Sequence, residues 1–180
     1  MRMVKGITKK KLKLEQISED QATQKIFFAV RIRGKPGMSQ KTRDTLKMLR
    51  MHKVNHGVLV WGEKSQLGML QKVNSFVAFG EINKNALVRL LRVRGRIEGG
   101  RPLTEIHIRQ MTEYNSIKEL ADELLNGNLK YKDIYKVKPV FRLHPPKGGH
   151  RGSIKKHFNE GGTLGYVGDT YINELIYKMV

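Results

Sequence analysis

The sequence predicts an α+β fold, in which a β-α-β-α-β core is joined to a basic N-terminal arm and to a longer helical and loop region. Three observations indicate this. Apolar residues alternate at two-residue spacing in three short segments, and the segments between them have helical spacing. The five elements follow one another between residues 26 and 82, which favours helices packed on one face of a small sheet. The first residues are lysine-rich and lack apolar periodicity.

These patterns divide the chain into three regions. We expect residues 1–25 to form a basic arm that orders on a partner. Residues 26–82 form the core, and residues 83–180 form an extension packed on it. Within this extension, residues 144–162 form a basic, glycine-rich loop.

The stretch IFFAVRIRG predicts the first strand, with alternate residues on two faces. One face takes Ile26, Phe28, Val30 and Ile32. The other takes Phe27, Ala29, Arg31 and Arg33. The second face is therefore half apolar and becomes basic toward its end.

The rest of the core alternates between helix and strand. Ser39 is placed to cap a helix that runs to about Met51, with Arg43, Lys47 and Arg50 in one basic stripe. HGVLVW predicts the second strand, Lys64 to Val73 the second helix and SFVAFGEI the third strand.

The second half begins with a helix that Asn83 caps and that runs to about Val93. Arg89, Arg92 and Arg96 form a second basic stripe. TEIHIRQ alternates like a strand, with Ile106 and Ile108 facing inward. KPVFRLHPP is predicted to be extended.

Two further helices are predicted from the capping residues at their ends. In SIKELADELLNG, Ser116 and Glu119 form a capping box and Gly127 is a natural C-terminal cap. Asp169 is expected to cap the last helix. Its apolar side carries Tyr171, Ile172, Leu175, Ile176 and Met179.

The composition narrows the classes of function. Lys plus Arg is 35 and Asp plus Glu is 16, giving a formal charge of +19. Such an excess opposes compaction and predicts a polyanionic partner, either nucleic acid or an anionic membrane surface. There is no cysteine, which excludes disulfides and zinc–thiolate sites. No apolar run approaches the ~20 residues of a membrane span, and no secretory signal is present. We expect a soluble intracellular protein.

The stretch HPPKGGHRGSIKKHFNEGG, residues 144–162, is the most unusual segment. Its glycines let backbone N–H groups approach phosphates, and its cations neutralise charge, so we expect a structureless extension that lies along RNA and is disordered when free. A merely flexible surface loop is the alternative. The spacing of His144, His150 and His157, without carboxylates or cysteines, does not indicate a metal site. Acid–base catalysis by one of these histidines remains open.

Other ligand signatures are absent. There is no Walker-type phosphate loop, and the glycines at 161–168 lack dinucleotide spacing. GKPG at 34–37 joins a strand to a helix, unlike the G-x-x-G loop of KH domains, and no strand matches an RRM consensus. The predicted helices need their apolar faces for the core, which disfavours membrane binding. The basic segments together therefore predict binding to folded RNA through phosphates and shape.

Two adjoining segments, RDTLKMLRMHKVNHGVLV and KSQLGMLQKVNSFVAFGEI, resemble the large-subunit ribosomal protein thirty family, which is numbered seven in eukaryotes. NKNALVRLLRVRGRI, SIKELADELL and PPKGGHRGSIKKHFNEGG resemble its long archaeal-type form. The resemblance covers residues 26–180.

This resemblance implies a ferredoxin-like core and a structural role in the large ribosomal subunit in the cytoplasm, without catalysis, cofactor, metal, membrane or small-molecule substrate. The implied partners are the large ribosomal RNA, 5S rRNA as a further candidate, and other large-subunit proteins. The alternative function is an RNA-processing or RNA-modifying enzyme that uses a loop histidine.

The candidate RNA contacts combine the basic segments with positions that match the family pattern. They are Arg31, Arg33, Lys35, Lys41, Arg43, Lys47, Arg50, His52, Lys53, Asn55, His56, Arg89, Arg92, Arg96, Lys147, Arg151, Lys155, Lys156 and His157.

Overall fold

A computed structural model of the chain describes residues 25–180, so the predicted arm, apart from Lys25, lies outside the described residues. Within this range the strands are β1 Ile26–Arg31, β2 His56–Trp61, β3 Val77–Glu81, β4 Val140–Arg142, β5 Ser153–His157 and β6 Gly162–Tyr166. The helices are α1 Gln40–Met48, α2 Lys64–Lys72, α3 Lys84–Arg94, α4 Glu105–Met111, α5 Ile117–Leu125 and α6 Gly168–Met179. None of these helices has the length and apolar character needed to cross a membrane.

The six strands form one sheet in the order β4-β2-β1-β3-β6-β5. β1 lies between β2 and β3 and is antiparallel to both. β4 continues the sheet beyond β2, and β6 and β5 continue it beyond β3 as parallel neighbours. The α+β fold with a β-α-β-α-β core is therefore confirmed.

Both faces of β1 are covered, because all six of its residues are buried. Ile26, Phe28 and Val30 face the core shared with α3, α5 and α6. Phe27 and Ala29 face a second core shared with α1 and α2. The predicted alternation in this strand is confirmed, and the sheet lies between two layers of helices.

Three predicted helix starts are confirmed by their caps. The side chains of Ser39, Asn83 and Ser116 each accept a hydrogen bond from the backbone N–H three residues later, at 3.3, 2.8 and 3.2 Å. The Glu119 carboxylate accepts from the Asn115 N–H at 2.9 Å, one residue before the cap. These bonds satisfy backbone donors that a helix start leaves unpaired.

The predicted strand at TEIHIRQ is wrong, because Glu105–Met111 is the helix α4. Ile108 is buried, whereas Ile106 is 66% exposed, so the two isoleucines do not share an inward face. The Ile108 N–H donates to the Thr104 carbonyl at 3.1 Å, as in a helix. Alternation over so few residues did not distinguish a strand from a short helix that buries one side.

The predicted cap at Asp169 is also wrong. α6 begins one residue earlier, at Gly168, and has no side-chain cap. Asp169 lies in the first turn, where its negative charge complements the helix dipole. The predicted apolar side is confirmed, since Tyr171, Ile172 and the three later residues are all buried.

Residues 144–162 are not a structureless loop. The backbone N–H groups of His144 and Lys147 donate to carbonyls near the end of α6, each at 3.0 Å. β5 then pairs with β6. Phe158 packs against Tyr171 with ring centroids 5.3 Å apart. A Cβ on Gly152 would lie 2.1 Å from the Gly161 carbonyl oxygen, so glycine permits this compact course.

The packing of β3 against α6 depends on Gly80. A Cβ at this position would lie 2.0 Å from the Gly168 carbonyl oxygen and 2.9 Å from Ile172 Cγ2. We therefore expect Gly80→Ala to lower the free energy of unfolding by about 1–3 kcal/mol, as overpacking does. Urea unfolding measures this change.

Gly68→Ala is the matched control, because a Cβ there would meet nothing within 4 Å. Gly68 lies inside α2, so alanine is expected to raise the free energy of unfolding by about 0.5–1 kcal/mol. A Gly80→Ala protein as stable as the wild type would contradict the close approach of β3 and α6.

Candidate nucleic-acid interface

One end of the sheet gathers most of the candidate contacts. The strand directions bring the last residues of β1 and β4 and the first residues of β2, β3, β5 and β6 toward the same end of the sheet. We call this the basic end and define it as residues 31–39, 49–56, 73–76 and 142–152. None of these segments contains aspartate or glutamate, whereas together they contain eight Lys or Arg residues and four histidines.

Arg31 lies inside the protein at this end and is only 3% exposed. Its Nη1 donates to the carbonyls of Met51 and His52, each at 3.0 Å, and its Nε donates to the Arg33 carbonyl at 2.9 Å. The expected direct RNA contact is therefore not supported by its position. Arg31 positions the turn at residues 49–55.

This turn is conformationally strained. Arg50 and Asn55 have φ values of 60° and 62°, in the left-handed region that is unfavourable for arginine and that asparagine adopts more readily. The Asn55 N–H donates to the Arg31 carbonyl at 2.8 Å, and the Asn55 carbonyl accepts from the Leu143 N–H at 3.0 Å. A conformation of this kind persists only where neighbouring bonds hold it.

The predicted basic stripe of α1 is wrong for Arg50. α1 ends at Met48, so Arg50 follows the helix and leaves its surface. Lys41, Arg43 and Lys47 remain exposed on α1. Lys47 Nζ lies 3.6 Å from the carboxylate of Asp44, and both side chains are more than half exposed, so this pair is weak.

His56 is half-buried at the start of β2, and its Nδ1 has no hydrogen-bond partner among residues 25–180. Burial, followed by the positive charges of Arg142, His52 and Lys53, lowers the pKa of His56. Arg142 lies opposite His56 in the β2–β4 register. Arg142 was not predicted as a contact, although it is an exposed cation in an extended segment without acids.

Arg33 is half-buried beside the loop that leads into β3. Its Nη1 donates to the Ser75 carbonyl at 3.1 Å, and its guanidinium lies 4.9 Å from the centre of the Phe76 ring. Lys35, in the following turn, is exposed. Arg33 therefore fixes the segment after β1 against the loop at residues 73–76.

The second predicted stripe is also interrupted. α3 ends at Arg94, and Arg96 lies beyond it with Nη1 donating to the Val93 and Gly95 carbonyls. Arg89 lies over the Tyr177 ring of α6 at 5.1 Å, and Arg92 is exposed. The three arginines do not form one surface.

The late basic residues lie toward the other edge of the sheet. Lys147, Arg151, Lys155 and Lys156 are exposed, and His157 is half-buried. β5 and β4 are the two edge strands, about 24 Å apart at about 4.8 Å per strand. Lysines on an edge strand also prevent unwanted strand pairing. The exposed candidates of the turn at residues 49–55 and those of this late segment therefore lie at separate places along the sheet.

The comparisons with known proteins give one consistent result. A family model described as Ribosomal protein L30p/L7e matches residues 27–77. The large ribosomal subunit protein uL30 of Methanoculleus marisnigri is 46% identical over 154 residues, which is 86% of this chain and 99% of that relative. The uL30 proteins of Archaeoglobus fulgidus and Methanocorpusculum labreanum are 46% and 43% identical over 154 residues, with the same coverage.

The position of Arg31 generates a stability prediction. Arg31→Met leaves the Met51 and His52 carbonyls without their donor, so we expect a loss of about 1–3 kcal/mol for each carbonyl left unpaired. The exchange of the Asn55 amide proton should accelerate, because the turn loosens. Lys41→Met removes the same charge from an exposed position and should change stability by less than about 0.5 kcal/mol. Equal stability of the two variants would contradict the positioning role.

The environment of His56 generates a pH prediction. Its folded-state pKa lies below the unfolded value of about 6.5, so the unfolded chain binds this proton first as the pH falls. Neutral His56 therefore contributes to the free energy of unfolding above about pH 6.5. This contribution is lost as the pH falls toward the folded-state pKa. NMR titration should give a His56 midpoint below 6.5, which Arg142→Gln should raise. A midpoint at or above 6.5 in the wild type would refute this account.

Proposed function

The chain belongs to the ribosomal protein L30p/L7e family, and we infer from this that it is a structural constituent of the large ribosomal subunit. It functions in the cytoplasm as part of the ribosome, with ribosomal RNA and other ribosomal proteins as its partners. The family is structural rather than enzymatic, so the alternative of an RNA-acting enzyme has no support.

We propose that the basic end is the surface that contacts ribosomal RNA. The observation that carries this proposal is the absence of any acid from its four segments, although they come from distant parts of the chain. Lys35, Arg50, Lys53, Lys147 and Arg151 are exposed there. Such residues neutralise phosphates and fix the position of the protein on the RNA.

In this proposal the two halves of the chain contribute different parts of one interface. Residues 26–82 form the RNA-binding core and supply the turn at residues 49–55, with Asn55 and His56 beside the exposed cations. Residues 83–180 form the extension that adds the late basic segment. Recognition relies on the shape of folded RNA, because the phosphates carry no sequence information.

The proposal applies to the large ribosomal RNA and to 5S rRNA, since both present the same phosphate chemistry. Competition between the two purified RNAs for the full-length protein distinguishes them. If unlabelled 5S rRNA releases the protein from the large RNA more effectively than unlabelled large RNA does, the basic end is assigned to 5S rRNA.

The test removes two charges from the turn. Arg50→Gln/Lys53→Gln should weaken binding to ribosomal RNA and should reduce the salt dependence of log K by about 0.7–0.9 for each phosphate that is no longer neutralised. Filter binding at several salt concentrations measures both quantities. Sedimentation of the tagged protein with large subunits, in moderate and then high salt, tests assembly.

The matched control is Lys118→Gln/Lys132→Gln, which removes the same charge from exposed positions outside the basic end. Its salt dependence should match the wild type. If the turn variant and the control behave alike, the basic end is not the contact surface. If the wild type stays in the light gradient fractions, its place in the large subunit is refuted.

A further inference from the structure

An open pocket of about 230 Å³ adjoins the basic end, between the end of α3, the loop that follows it and β4. A water molecule occupies about 30 Å³ of liquid volume, so the pocket has room for a considerably larger group. Its lining residues are Arg94, Arg96, Gly100, Lys138, Val140 and Arg142. Four of these six residues are cationic, and Arg94, Lys138 and Arg142 are not among the contacts that the sequence predicts.

The four cations have no acidic counterpart in the pocket. None of them forms an ion pair with an acid among residues 25–180. Glu98 lies in the neighbouring turn and is exposed, but it does not line the pocket. Like charges held together without a counterion repel each other, so the arrangement is unfavourable until an anion enters.

The pocket is held in place by backbone contacts. The Lys138 N–H donates to the Arg96 carbonyl at 2.8 Å, and Ile97 pairs with Val137 in an antiparallel bridge. Gly100 has a φ of 81°, which favours glycine and leaves this part of the rim without a side chain. The cations are therefore presented by paired backbone.

Arg94 has unused hydrogen-bonding capacity at this site. Its Nη2 donates to the Val180 carbonyl at 3.0 Å, whereas its Nε is buried and has no partner among residues 25–180. Burial, followed by the charge of Arg96, lowers the pKa of Arg94. A buried guanidinium donor without an acceptor is costly, so Arg94 is held beside the pocket at the expense of one unmade hydrogen bond.

We propose that this pocket seats one backbone phosphate of ribosomal RNA. The inference rests on the proposed function and adds Arg94, Lys138 and Arg142 to its interface. Arginine forks match the oxygens of phosphate, and three arginines with one lysine favour phosphate over an isolated carboxylate. Arg142 lines the pocket and lies opposite His56, so an RNA strand on the basic end continues into it.

The experiment compares Lys138→Gln/Arg142→Gln with the control Lys118→Gln/Lys132→Gln in the full-length protein. Binding to purified large-subunit RNA is measured over a range of salt. Loss of one seated phosphate should reduce the salt dependence of log K by about 0.7–0.9 relative to the control. If the double variant does not fold, Lys138→Gln alone is measured. Its salt dependence of log K should also be smaller than that of the control.

A second arm measures the melting temperature of the same proteins in inorganic phosphate and in chloride at equal ionic strength. If the salt dependence of log K is the same for the pocket variants and the control, the pocket does not seat an RNA phosphate. In that case, a rise in melting temperature in phosphate that only the wild type shows would identify a free anion as the occupant. Failure of the proposed function gives a different result. The wild type itself would then show no salt-dependent RNA binding and would not sediment with the large subunit.

Discussion

The buried guanidinium of Arg31 is the constraint on which the basic end depends. A charge removed from water must be compensated by hydrogen bonds, and three backbone carbonyls supply them. Two belong to the 49–55 turn, so folding β1 into the sheet also fixes the turn. The left-handed conformations of Arg50 and Asn55 are tolerated because the turn is bonded to β1 on one side and to Leu143 on the other. Since no acid among residues 25–180 forms an ion pair with Arg31, its charge adds to that of the exposed cations.

Much of the fold could be predicted because its signals are local. The alternation of Ile26, Phe28 and Val30 defined both faces of β1, and the caps at Asn83 and Ser116 defined two helices. The errors at residues 104–110 and 144–162 arose where tertiary contacts decide the local structure. Phe158 packs on a helix that follows it in sequence, and nothing in the preceding glycines reveals that contact.

The candidate interface was predictable in charge but not in geometry. Alternation placed Arg31 correctly on the face of Phe27 and Ala29, yet its burial depends on a turn that closes over it from residues 51 and 52. The pairing of His56 with Arg142 joins residues far apart in the sequence, and no local pattern encodes it. The cationic pocket likewise combines two separate segments, residues 94–100 and 138–142, which no local pattern brings together. The domain boundary at residue 82 remains a prediction.

The net charge of +19 is unevenly distributed, because three acids lie at the end of the sheet opposite the basic end. Glu63 follows the end of β2, Glu81 ends β3, and both form ion pairs with lysines at the end of the sheet opposite the basic end. Asp169 also lies there, because Glu81 and Asp169 both act on Tyr166 and, together with its burial, raise its pKa. These three acids therefore lie away from the basic end, whose four segments contain no acid. A uniformly basic surface would bind RNA in many orientations, whereas in the proposed function this separation favours one.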